Sequence, residues 1–131
     1  MRTLLPYLLV GCGGFLGANA RFLQARWVDA MHSSTFPWGT FTINVAGSFL
    51  LGLLGAFVST RVPAPTGEHL RLALGVGFLG AYTTFSTFEY ESHALLEGGS
   101  WLAGTLNIVL SVFVGLVAVR LGILVARNWP F

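Results

Sequence analysis

Residues 75–91 read Gly75-Val76-Gly77-Phe78-Leu79-Gly80-Ala81-Tyr82-Thr83-Thr84-Phe85-Ser86-Thr87-Phe88-Glu89-Tyr90-Glu91. They overlap a charge-free run, 72–88, that with its polar ends can cross roughly 30 Å of hydrocarbon as a helix. Gly75, Gly77 and Gly80 precede a hydroxyl-rich hexapeptide at membrane depth. Each glycine costs about 1 kcal/mol in a helix interior relative to Ala. Their clustering predicts an interruption near Gly80–Thr83. Broken backbone at mid-membrane is tolerated only where it is buried in protein or lines a cavity. Its free carbonyls can hold a cation, and the N-terminus of the following half-helix favours an anion.

Phe85 and Phe88 are three apart and share a helix face, with Thr84 and Thr87 as a neighbouring pair. Two phenylalanines alone would read as core packing. Here the rings alternate with hydroxyls beside a broken helix. A ring has a negative face and a positive edge, so inward edges can meet a small anion alongside hydroxyl and amide donors. A strong fixed charge would hold such an ion too tightly to release it.

The rest of the chain gives this stretch a lipid setting. Of 131 residues, 54% are hydrophobic and only 9% charged, against about 25% charged in an average soluble domain. Mean hydropathy is +0.73. Disorder, a disulfide scaffold and a water-soluble globule are excluded on these grounds. All 7 cations are Arg and the net charge is +2, which is no basic patch for nucleic acid. The single Cys excludes an intrachain disulfide and a Cys-based metal site.

The other charge-free runs are 3–20, 30–60 and 98–119. Pro37-Trp38-Gly39 breaks the longest, Arg61 to Glu68 is a proline-bearing loop, and Glu97-Gly98-Gly99-Ser100 is a tight turn. The prediction is an all-α membrane protein of four transmembrane helices, about 4–27, 39–60, 69–96 and 100–127, forming a single domain over 1–131. Arg2, the apolar run and Ala18-Asn19-Ala20 also resemble a signal peptide, and Leu9-Val10-Gly11-Cys12 a lipoprotein box. Removing that segment would leave an odd three-span remainder, so it is expected to stay as the first helix. Arginine bias places both termini and the 60–70 loop in the cytoplasm, but it rests on few charges and allows insertion both ways.

Gly13 with Gly17, and Ser48 with Gly52, are small-residue pairs that let helices approach closely. Four short helices bury little against one another, so a homodimer is expected to complete the bundle. Thr40, Asn44 and Ser48 recur along one face of the second helix, as do Asn107, Ser111 and Gly115 along the last. An asparagine in hydrocarbon is costly unless paired, so both must face protein or water. Interhelical bonding explains either stripe alone; two together favour a polar path. Arg21, just inside the first helix, reads equally as a snorkelling side chain or as an electropositive vestibule.

Three segments, Gly13-Gly14-Phe-Leu-Gly17-Ala-Asn-Ala-Arg21, Gly39-Thr40-Phe-Thr-Ile-Asn44-Val-Ala-Gly47-Ser-Phe and Gly80-Ala-Tyr-Thr83-Thr84-Phe85-Ser86-Thr87-Phe88, resemble the Fluc/CrcB family of fluoride channels. The Thr-Thr-Phe-Ser-Thr-Phe run is the specific part, and the resemblance covers nearly the whole chain. It implies an antiparallel, dual-topology homodimer with two fluoride pores in a bacterial inner membrane, exporting fluoride that entered as its neutral acid. It further implies that Asn44 bonds near the pore, that ring edges of Phe85 and Phe88 meet fluoride, and that Ser86 and Thr87 belong to a hydroxyl track. Carbonyls of Gly80 and Thr83 from both subunits would hold a structural sodium ion. Arg21 and Glu91 match a first-helix arginine and an acid after the phenylalanine motif. Ser111 would add a donor. A tyrosine often stands in the family where Asn107 is, and a serine where Gly115 is, so the last helix matches least.

A proton-coupled multidrug-type transporter also has four short helices, but needs an acid buried in its first helix, where no carboxylate precedes Asp29. A purely structural assembly protein explains the glycines but not the alternation of Phe with hydroxyls. A membrane enzyme is not expected. His32, His69 and His93 are widely spaced at helix ends without a ligand pattern. Glu89 and Glu91 lie on different helix faces and form no acid/base pair.

Overall fold

The computed structural model describes residues 4–130; Arg2, part of the topology count, lies outside them. Five helical segments follow one another: α1 (Leu5–Met31), α2 (Trp38–Arg61), α3, α4 (Phe85–Glu97) and α5 (Trp101–Asn128). Helix α3 is one continuous climb made of Thr66–Leu70, Arg71–Leu79 and Gly80–Tyr82. Together α3 and α4 make the third traverse, so the expected four-helix layout stands, with a break in the third. No strand occurs among the described residues.

Local chemistry accounts for the ends. Pro6 sits in the first turn of α1, where its missing N–H costs nothing. Helix α2 starts after Pro37 and has no cap of its own; the Asp29 carboxylate from α1 accepts the Gly39 N–H at 3.0 Å. An acceptor with negative charge suits a helix N-terminus. Gly99 takes φ of +81° in the turn between α4 and α5, a conformation that suits glycine.

The break differs from the expectation in place and in cause. It falls at Thr83 and Thr84, both extended (ψ of 159° and 115°), the last residue of the predicted interval and the one after it. Gly75 and Gly77 do not interrupt the helix. They lie within Arg71–Leu79, which winds as a π-helix, and the Gly80 N–H reaches back to the Gly75 carbonyl. That wider winding is rare and recurs at functional sites.

Gly77 and several glycines of the other helices serve close approach instead, whereas a Cβ on Gly75 or Gly80 would meet nothing nearer than 3.7 Å. A Cβ on Gly13 would lie 2.0 Å from the Ala73 carbonyl oxygen, and one on Gly17 would lie 2.0 Å from that of Phe78. Helices α1 and α3 therefore touch backbone to backbone. Helices α2 and α5 do the same: a Cβ on Gly52 would meet the Val119 oxygen at 2.3 Å, and one on Gly122 the Phe49 oxygen at 2.1 Å. Hence α1 pairs with α3 and α2 with α5, while α4 folds back along α5.

Large apolar side chains point outward from this frame. Phe15, Phe22, Trp27, Phe113 and Leu116 are exposed, whereas Asn107 and Ile43 are the most deeply buried large side chains, each 1% exposed. Glycines and polar groups inside with hydrocarbon outside is the arrangement for a lipid solvent. By length and composition Trp38–Arg61 and Trp101–Asn128 can each cross a bilayer. Helix α1 has 27 residues, about 40 Å of helix; its charges gather toward its C-terminal end, at Arg21, Arg26 and Asp29.

Candidate functional site

The unwound pair Thr83–Thr84 needs partners that the helix no longer supplies. Thr84 gets both from one side chain: Asn44 Nδ2 donates to its carbonyl at 3.0 Å, and its N–H donates to Asn44 Oδ1 at 2.8 Å. The amide of Asn44 thus replaces a stretch of backbone ladder. In an unbroken helix the Thr84 N–H would bond the Gly80 carbonyl; committed to Asn44, it leaves that carbonyl without its helical donor. The Thr83 carbonyl accepts only a long contact from Arg21 Nη1, at 3.4 Å. The Thr83 hydroxyl turns back to the Leu79 carbonyl at 2.9 Å.

Thr84 also starts α4. Its hydroxyl accepts the Thr87 N–H at 3.3 Å and donates to Thr87 Oγ1 at 2.9 Å, an N-cap that satisfies a first-turn donor. Asn44→Ala would strip both partners from Thr84. We expect a loss of about 1–3 kcal/mol, read as a lowered midpoint in denaturation of the detergent-solubilised protein.

Beside the break lies a cleft of about 300 Å³, open on one side. Asn44, Ser48, Gly80, Thr83, Phe85, Phe88 and Ser111 all line it. Sequence reasoning named each of these, and the fold brings them together from α2, α3, α4 and α5. The Phe85 and Phe88 ring centroids are 5.7 Å apart and tilted by 46°. Phe88 is 8% exposed and Phe85 70% exposed, so one ring is fixed inside and the other stands at the rim.

The remaining candidates lie elsewhere. Ser86 and Thr87 are exposed and outside the cleft lining. Thr40 donates to Glu91 Oε1 at 2.9 Å, an α2–α4 contact at the middle of α4, and Glu91 Oε2 is buried without a hydrogen-bond partner among the described residues. Asn107 donates to Ser92 Oγ at 2.9 Å, and Ser92 donates to the Phe88 carbonyl at 2.7 Å. Ser111 donates weakly to Asn107 Oδ1 at 3.4 Å. Asn107 therefore backs the Phe88 turn of α4 from α5. Ser92 was not singled out, although it follows Phe88 by four residues and shares its helix face.

A fold that is all-helical over the described residues, with lipid-facing apolar surfaces and an interrupted helix beside a cleft that holds a few polar groups, is that of an integral membrane protein. Residues 8–123 match the family described as CrcB-like protein, Camphor Resistance (CrcB). The chain belongs to that family. It is 43% identical over 125 residues to "Fluoride-specific ion channel FluC" of Geobacter metallireducens, covering 95% of this chain and 99% of the relative. It is 45% identical to the protein of the same name from Sulfurovum sp., covering 94% and 96%. It is 46% identical to "Fluoride-specific ion channel FluC 2" of Moorella thermoacetica, covering 95% and 98%.

Proposed function

We propose that the chain is a fluoride-selective passive channel and not an enzyme. It works as an antiparallel, dual-topology homodimer with two pores and exports cytoplasmic fluoride across a bacterial inner membrane. The observation that carries this reading is the cleft in which Asn44, Ser111, Phe85 and Phe88 meet beside the break. The names borne by relatives 43–46% identical point the same way.

Fluoride is small and strongly hydrated, so a narrow pathway must replace its water with donors. Asn44 keeps a second amide N–H beyond the one given to Thr84, Ser111 can turn its hydroxyl from the long Asn107 contact to an ion in the cleft, and aromatic edges add weak positive potential without a binding charge. Ser86 and Thr87, exposed in the single chain, become pore-lining only when a second copy covers that face. Arg21 lies on the α1 side of the break and favours anions there. Thr40, Glu91 and Asn107 set the outer polar end of the path.

The carbonyls of Gly80 and Thr83 suit a structural sodium ion. Thr84 gives its N–H to Asn44, which frees the first, and the second has only the long Arg21 contact. Oxygen from unwound backbone is a common ligand for Na⁺ in membrane proteins. Bound there, the ion would tie the two breaks together at the dimer centre.

The test is fluoride efflux from liposomes that contain the purified protein, with potassium carried by valinomycin and chloride as control. Fluoride release without chloride release is the expected result. No release from verified dimeric protein would end the channel reading and return the polar stripes to packing.

A further inference from the structure

Asn44 holds the break from α2, but two side chains of α1 hold it from the opposite side. Tyr82, the last helical residue before the break, is 6% exposed, and its hydroxyl donates to Gln24 Oε1 at 2.5 Å. Arg21, one turn earlier on the same face of α1, reaches the Thr83 carbonyl. Three consecutive residues, Tyr82, Thr83 and Thr84, are thus each tied to another helix, by Gln24, Arg21 and Asn44 respectively.

The Tyr82 ring needs no hydrogen bond to be held in place. It stacks on Phe78 with centroids 5.8 Å apart, packs with Ile43 and Leu79, and lies against Gly47, where a Cβ would come within 3.3 Å of it. What the hydroxyl adds is direction. Buried phenols find a partner, and the acceptor supplied here comes from a helix that otherwise meets α3 through glycines and the small side chains of Ala20 and Ala25. Such contacts resist separation but do little to fix rotation about the helix axis.

We infer that Gln24 and Tyr82 form a positioning latch that sets the rotation of the last turn of α3. The latch orients the Gly80 and Thr83 carbonyls and the point where α4 begins. Neither residue lines the cleft, so both act through the break. The flux readout of this inference rests on the channel reading above.

The test compares Tyr82→Phe, Gln24→Leu, their double variant and Gln24→Glu, which keeps an acceptor oxygen. Two readouts are taken: fluoride efflux from liposomes, and the sodium concentration that half-maximally raises the melting temperature in detergent. Each single variant should slow efflux about tenfold and raise the sodium requirement by a similar factor. The double variant should be no worse than either single one, because both remove the same bond. Gln24→Glu should stay within about twofold of the parent.

Single effects that multiply in the double variant overturn the latch. So does an unchanged efflux and sodium requirement with only a lower melting temperature, which marks ordinary packing. Parent protein that releases no fluoride sinks the channel reading instead, and the half-maximal sodium concentration across the same variants then decides the latch alone.

Discussion

Phe88→Ile is expected to yield a folded dimer that releases fluoride at least about tenfold more slowly than the parent. The ring is 8% exposed, and its turn of α4 is held by Ser92, whose hydroxyl binds the Phe88 carbonyl. That bond uses backbone and survives the change. Isoleucine fills much of the same volume, so the packing cost is about 1–3 kcal/mol. What it lacks is an aromatic ring, with its positive edge, at the cleft that Asn44 and Ser111 also line. Liposome efflux and the melting temperature should be measured on the same preparation. Near-parental efflux with a lowered melting temperature would return Phe88 to packing.

Gly17→Ala should prevent α1 from docking on α3. Its new methyl would sit 2.0 Å from the Phe78 carbonyl oxygen and 2.8 Å from the carbonyl carbon. Both are backbone atoms, so no rotamer change relieves the clash and α1 must move off α3. Overpacking costs about 1–3 kcal/mol and sometimes more, and backbone against backbone belongs at the upper end. The variant should fail to give a monodisperse peak on size exclusion. Gly11→Ala is the matched control, since a Cβ there meets nothing within 4 Å. It should be neutral or gain up to about 1 kcal/mol of helix propensity. Equal behaviour of the two variants would mean that α1 and α3 do not pack through Gly17.

The membrane class, the third-helix interruption and the cleft residues were legible because each leaves a local mark. Charge-free runs define spans, an asparagine in hydrocarbon demands a partner, and alternating Phe with hydroxyls is unusual. The break was placed slightly early because glycine was read as a helix weakener. In this fold Gly77 lies against Val10 and Gly13 of α1, and the chain unwinds at Thr83 and Thr84 because Asn44 takes both backbone groups of Thr84. Nothing within the third segment announces Asn44 as that partner. The π-helical winding of Arg71–Leu79 was hidden for the same reason, since it depends on neighbours rather than on composition. Gly122 escaped notice, although it meets α2 as closely as Gly17 meets α3; the signal that could have found it is the pair of buried alanines four residues either side, Ala118 and Ala126. Gln24 is an ordinary polar residue near a helix end until Tyr82 is seen to reach it.

The bond between Asn44 and Thr84 also fixes an order of events in assembly. Its partners are separated by 40 residues, and helices in a bilayer form before they associate. While the third segment is undocked, the Thr84 N–H has no amide to turn to, and in lipid its cheapest acceptor is the Gly80 carbonyl of its own helix. The newly inserted segment is therefore expected to be straighter than the finished one. The Gly80 carbonyl loses that helical donor only when Asn44 of α2 engages Thr84, so the break is made by docking and not by synthesis of the segment that bears it.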